Sequence, residues 1–117
     1  MEETGTVTAV ETSAATSTSV KEVDGIEVVI DREACVSWDA IMLSRDIQKL
    51  NKEFNSLPKG DKQAEVIMDA MALMYEYVLL TTDLTREKIN AHMGDKASFK
   101  DVSEFLGHVM QATRLKN

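Results

Sequence analysis

One cysteine, six aromatic residues and no basic cluster narrow the possibilities for this 117-residue chain before any pattern is sought. A lone Cys35 excludes an intrachain disulfide framework and fits a reducing compartment, where the fold must hold by packing alone. A chain of this length makes one domain with a possible tail, and it can bury enough surface to fold without covalent staples. With three Phe, two Tyr and Trp38, most of the core has to come from Leu, Ile, Val and Met. The formal net charge is −7. Residues 1–36 carry eight acids and two bases, and residues 37–117 carry twelve acids and eleven bases. No basic face opposes this acidity, which argues against nucleic acid as a partner, because phosphate neutralisation supplies most of that affinity.

Chemical motifs are missing too. There is no HExxH spacing, no glycine-rich phosphate loop and no GxSxG. His92 and His108 have no Cys nearby and lack zinc-ligand spacing, so both read as surface or capping residues. Cys35 reads as a half-buried structural thiol rather than a nucleophile. Asp69 and Glu76, the only acids of the most apolar segment, are seven positions apart and share a helix face, which reads as a solvent stripe. The expectation is a protein without enzymatic activity, cofactor or metal. MEETGTVTAV has neither a basic start nor an apolar core, so no secretory signal is expected.

Residues 1–24 are rich in Thr, Ser, Ala and Glu and read as an acidic arm, either unstructured or strand-forming with a partner; Val7 to Val10 is its candidate strand. Asp24-Gly25 signals a turn, and the β-branched IEVVID after it a short strand. From residue 25 onward a helical domain is expected. Ser37 is placed to cap a helix from Trp38 to about Asn55, with Leu43, Ile47, Leu50, Phe54 and Leu57 on one stripe. Trp38 is expected to anchor this helix in the core. Leu57-Pro58-Lys59-Gly60 ends it, and Asp61 is the expected cap of the next, Lys62 to Leu80. Asp83 or Thr85 starts a short helix over about Arg86 to His92, stopped by Gly94. Ser98 caps a last helix with Phe99, Val102, Phe105, Leu106, Val109 and Met110 on its apolar face. Gly107 lies mid-helix, where close approach of a second helix would explain it. The fold class is therefore mainly α: a small bundle of about four helices with one or two short N-terminal β-strands.

The segment VIMDAMALMYEYVLL, residues 66–80, is apolar nearly all round. As a helix it spans about 22 Å at about 1.5 Å per residue, short of a bilayer core of about 30 Å, and its two acids worsen the fit. Met68, Met71 and Met74 recur every third residue, but steps of about 300° spread them round the helix and no Cys or His supports a copper site. They read as packing or, better, as adaptable contacts for apolar partners, a common use of methionine.

Four features in order, the strand IEVVID, the tryptophan-opened helix SWDAIMLSRDI, the apolar helix followed by AHMGD, and the last helix SFKDVSEFLGHVM, resemble the tail assembly chaperones of long-tailed bacteriophages. The resemblance covers about residues 26–115. It implies a non-enzymatic protein of the host cytoplasm that binds the helical tape-measure protein, keeps it soluble and assists tail-tube assembly. Met68, Met71, Met74 and Tyr75 are then the expected client contacts, with Phe105 and Met110 as a facing wall. Self-association is also possible. The alternatives are a virion structural component, such as a head–tail connector or a minor capsid or tail protein, and a small helical protein-binding module.

Overall fold

The computed structural model describes residues 18–114. Strands β1 (Thr18–Val23) and β2 (Ile26–Asp31) form an antiparallel hairpin in which Val23 pairs with Ile26 and Thr18 with Asp31. The two loop residues both have positive φ, 51° at Asp24 and 89° at Gly25. That is the pattern of the two-residue hairpin turn whose twist matches its strands, and Asp-Gly is its preferred sequence. The ribbon partner of Ile26–Asp31 is thus Thr18–Val23, inside the segment expected as an arm. The candidate strand Val7 to Val10 lies outside the described residues. Alternation puts Val28 and Ile30 on the inner face, fully buried.

The far edge of β2 is covered by the chain after the central helix. Ile30 bridges Thr82 antiparallel. The Asp83 amide donates to the Val29 carbonyl at 2.9 Å, and the Val29 amide donates to Asp83 Oδ1 at 3.0 Å. One side chain and its own backbone thus clasp a strand that a two-stranded ribbon would leave half open.

Five helices follow, one more than the sequence suggested. The extra one, α1 (Arg32–Cys35), is a single turn capped by Asp31, whose Oδ1 accepts from the Ala34 amide at 3.1 Å. Ser37 then caps α2 (Trp38–Ser56) by accepting from the Ala40 amide at 3.2 Å. After Pro58 and Gly60 the chain reverses into α3 (Asp61–Thr81). Here the N-cap is Gly60, with no side-chain cap, and Asp61 is the first helical residue. From there its carboxylate still meets the positive end of the helix dipole. The Gln63 side-chain amide reaches back to donate to the Phe54 and Leu57 carbonyls at 3.1 and 3.3 Å, tying the start of α3 to the end of α2. Thr85 caps α4 (Arg86–Met93), and Gly94, at φ 87°, ends it. Ser98 caps α5 (Phe99–Thr113) through the Asp101 amide at 3.1 Å.

The core draws on both strands of the hairpin and on the helices packed against it. Val28 and Ile30 meet Val78 of α3, Leu84 and Ile89 beside α4, and Phe105, Leu106 and Val109 of α5. A smaller cluster, Ala40, Ile47 and Tyr77, joins α2 to α3. Thr113 Oγ1 donates to the Met110 carbonyl at 2.6 Å and so accepts from the Tyr77 hydroxyl at 3.4 Å, which satisfies the two polar groups buried there. The Arg32 guanidinium donates to the Thr113 carbonyl at 2.7 Å, placing a cation at the negative end of α5.

Two further expectations change. Trp38 does not anchor the core: it is 72 % exposed. It lies nine positions from buried Ile47, and nine steps of about 100° put it on the opposite side of the helix. Gly107 is not forced by a close helix approach either. A methyl group there would meet only the tip of Met74, at 3.9 Å, an ordinary contact.

Candidate functional site

Helix α3 divides its surface four ways. Val66, Ala70 and Tyr77 turn inward and are buried, while Val78 enters the main core. Asp69 and Glu76 lie exposed along one edge of the helix, as a solvent stripe. Between them runs an apolar strip that the fold leaves open. Met68, Met71, Tyr75 and Leu79 recur at three- and four-residue steps, and with Phe99 from the start of α5 they line a groove of about 390 Å³. Met68 is 58 % exposed and Phe99 42 %. Ordinary single apolar side chains on a surface need no explanation, but a contiguous set does.

Arg86 lines this groove beside Tyr75. Its guanidinium carbon lies 5.2 Å from the centre of the Tyr75 ring, within the range of a cation–π contact. Thr85 fixes the first turn of α4 and so holds Arg86 in place. The ring and the guanidinium form a flat wall with an apolar face and a polar rim, a surface suited to a partner side chain.

The expected contact residues divide among three places. Met68, Met71 and Tyr75 share the groove. Met74 and Met110 instead line a second depression of about 350 Å³ toward α2, with Ser44, Gln48 and Gly107 among its other walls. Phe105 is not a wall of either: at 1 % exposure it belongs to the main core, with the His92 ring tilted against it at 5.2 Å between centres. Its position explains the correction, because Phe105, Leu106 and Val109 form the stripe of α5 that faces the sheet. Leu79, Phe99 and Arg86 complete the groove and were not singled out from the sequence. For Leu79 a signal existed, since it stands four residues after Tyr75 and eleven after Met68, on one helix face.

Elsewhere among the described residues, the titratable groups of note are Cys35 and His108. Cys35 is half-buried against the core, and that burial pushes its thiol up from the ordinary value, partly countered by Arg32. A thiol kept protonated is a poor nucleophile. His108 Nδ1 and Asp24 Oδ2 are 2.8 Å apart and exposed, tying the hairpin turn to α5. That hydrogen bond, and then the carboxylate charge, raise the His108 pKa above 6.5. Among the described residues, no three His, Cys, Asp or Glu side chains converge as metal ligands, and no helix is long and apolar enough to cross a membrane. Comparison with known protein families, with characterised proteins and with solved structures gives no match to this chain.

Proposed function

We propose that this chain is a non-enzymatic binding protein, a tail assembly chaperone that holds the helical tape-measure protein of a long-tailed phage in the host cytoplasm. The observation that carries the binding role is the open groove on α3, where Met68 and Phe99 are exposed and Met71, Tyr75 and Leu79 are partly so. A groove of that kind receives the apolar face of an amphipathic helix, and methionine adapts to varied side chains along it. The identity of the client rests on the order of sequence features from IEVVID to SFKDVSEFLGHVM.

Co-expression tests the assignment. The tape-measure protein encoded beside this chain should move from the pellet to the soluble fraction when both are made together. A client equally insoluble with and without its partner would end the chaperone reading. One feature favours a virion component instead: among the described residues β1 pairs with β2 alone, and a strand from a neighbouring subunit could add to its other edge. Mass spectrometry of purified particles separates the two, since a chaperone leaves the finished tail and a structural component stays.

A further inference from the structure

The groove does not end where its own walls end. At Met68 it meets a shallower depression formed with Ala64, Glu65 and Asp69. At Glu76 and Leu79 it opens into another, of about 450 Å³, floored by Met42, Leu43 and Leu80 and edged by Asp39 and Asp46 of α2. The three depressions form one track along α3 from Ala64 to Leu80, about 24 Å at about 1.5 Å per residue. That length accepts four to five turns of a partner helix.

Charge along the track is one-sided. Glu65, Asp69, Glu76, Asp39 and Asp46 border it, against Arg86 as the one cation among the lining residues. Among the described residues the side-chain ion pairs are Lys88–Asp83 and His108–Asp24, so within that part of the chain none of these five carboxylates is in an ion pair. The apolar floor and three of these acids share one helix, because Glu65, Asp69 and Glu76 flank the Met68–Leu79 line along one edge of α3.

We infer that the track is built for a cationic amphipathic helix: an apolar face on the methionine floor, with Lys or Arg on its flanks reaching the five acids. The inference rests on the binding role proposed above and adds the chemistry of the partner segment. A second copy of the chain is disfavoured as occupant, since two tracks of the same sign repel and the whole chain carries a formal −7. Charge complementarity of this kind selects partners and speeds encounter, while the apolar floor supplies most of the affinity.

The test uses the full chain and three fluorescent peptides of about 18 residues, about 27 Å as helices. The first has leucines at three- and four-residue steps and lysines on both flanks. The second replaces every lysine with glutamate. The third scrambles the first, keeping composition and losing the apolar face. Anisotropy titrations should show the first binding at least about tenfold tighter than either control, with affinity falling as salt rises. The variant Asp39→Asn/Asp46→Asn/Glu76→Gln should lose at least about tenfold for the first peptide with an unchanged circular dichroism spectrum, and Phe99→Ala should weaken the same peptide. Equal or tighter binding of the glutamate peptide overturns the inference. So does equal binding of the scrambled one, which would mean bulk charge attraction, or an unchanged affinity of the neutralised variant. Self-association of the chain that is abolished by Met68→Asp and unaffected by the first peptide would assign the track to a second copy and overturn it too. Co-expression stands apart: a chain that binds the lysine peptide but leaves the tape-measure protein insoluble keeps this partner chemistry and loses that client, and the reverse result does the opposite.

Discussion

Replacing Gly107 with alanine is expected to stabilise the protein, although the substitution fills a position at a helix–helix contact. In a helix interior alanine is favoured over glycine by about 0.8–1.0 kcal/mol, because glycine gives up more backbone freedom on folding. The added methyl meets the Met74 tip at 3.9 Å, close enough for contact and too far for a clash. Half-burying one methyl adds about 0.4 kcal/mol at about 0.8 kcal/mol per buried group. The sum is about 1–1.5 kcal/mol, or a rise in Tm of about 5–10 °C for a domain of this size. Thermal melts followed by circular dichroism would show it, and urea titration should give a higher midpoint with an unchanged slope. A lower Tm would refute the reasoning and mean that α3 and α5 approach more closely than 3.9 Å at this point. The same variant also probes function. Gly107 borders the depression shared by Met74 and Met110, away from the Met68 groove. Client solubilisation should therefore survive. A stabilised variant that fails to keep its client soluble would move the partner surface to that second depression.

Three further substitutions separate the parts of the molecule. Phe105→Ala should cost about 3–5 kcal/mol, as expected for a fully buried phenylalanine, whereas Phe99→Ala, on the groove rim, should cost about 1 kcal/mol or less; denaturant midpoints compare them, and equal losses would refute the assignment of one to the core and the other to the surface. Met68→Asp should leave stability within about 0.5 kcal/mol of the parent and abolish client solubilisation, which parallel melts and co-expression would read out. For His108, NMR titration should give a pKa above 6.5 in the parent and a fall back toward that value in Asp24→Asn. Because the folded pKa is raised, the contribution of this contact is complete below the unfolded value and is lost as pH rises through the folded one. A variant titrating like the parent would show that Asp24 is not the cause.

The helices were legible because their signals are local. Ser37, Thr85 and Ser98 each stand one residue before an apolar-periodic run, Gly94 one residue after, and the observed ends fall within one or two residues of the sequence reading. Strand β1 was less visible, because TSVKEV is lost in a Thr/Ser-rich background. Its position follows from the Asp-Gly turn: two residues of loop fix the register, and Val23 then has to face inward beside Val28. Trp38 was misplaced because the weight of an aromatic ring was set above its angle on the helix. The groove was half legible. Met68, Met71 and Tyr75 lie on one helix, so their nearness is a matter of spacing. Phe99 and Arg86 reach them only because α4 and α5 dock across α3, and no periodicity within a single helix encodes that. The same docking takes Phe105 out of reach of any partner.

The clasp between Val29 and Asp83 also bears on how the chain reaches this structure. Its partners are 54 positions apart in sequence. In an open chain, closing such a loop costs entropy that grows with the logarithm of its length. Most of the intervening residues, however, belong to α2 and α3, whose contacts such as Ile47 with Tyr77 form within one antiparallel pair. Once that pair has formed, it returns the chain to the end from which it left, and Asp83 arrives beside β2 without a long diffusive search. The effective contact order is then that of a helical bundle, and refolding on the order of milliseconds or faster follows. The rate should track substitutions between the two long helices, with the sheet edge closing after the barrier has been crossed.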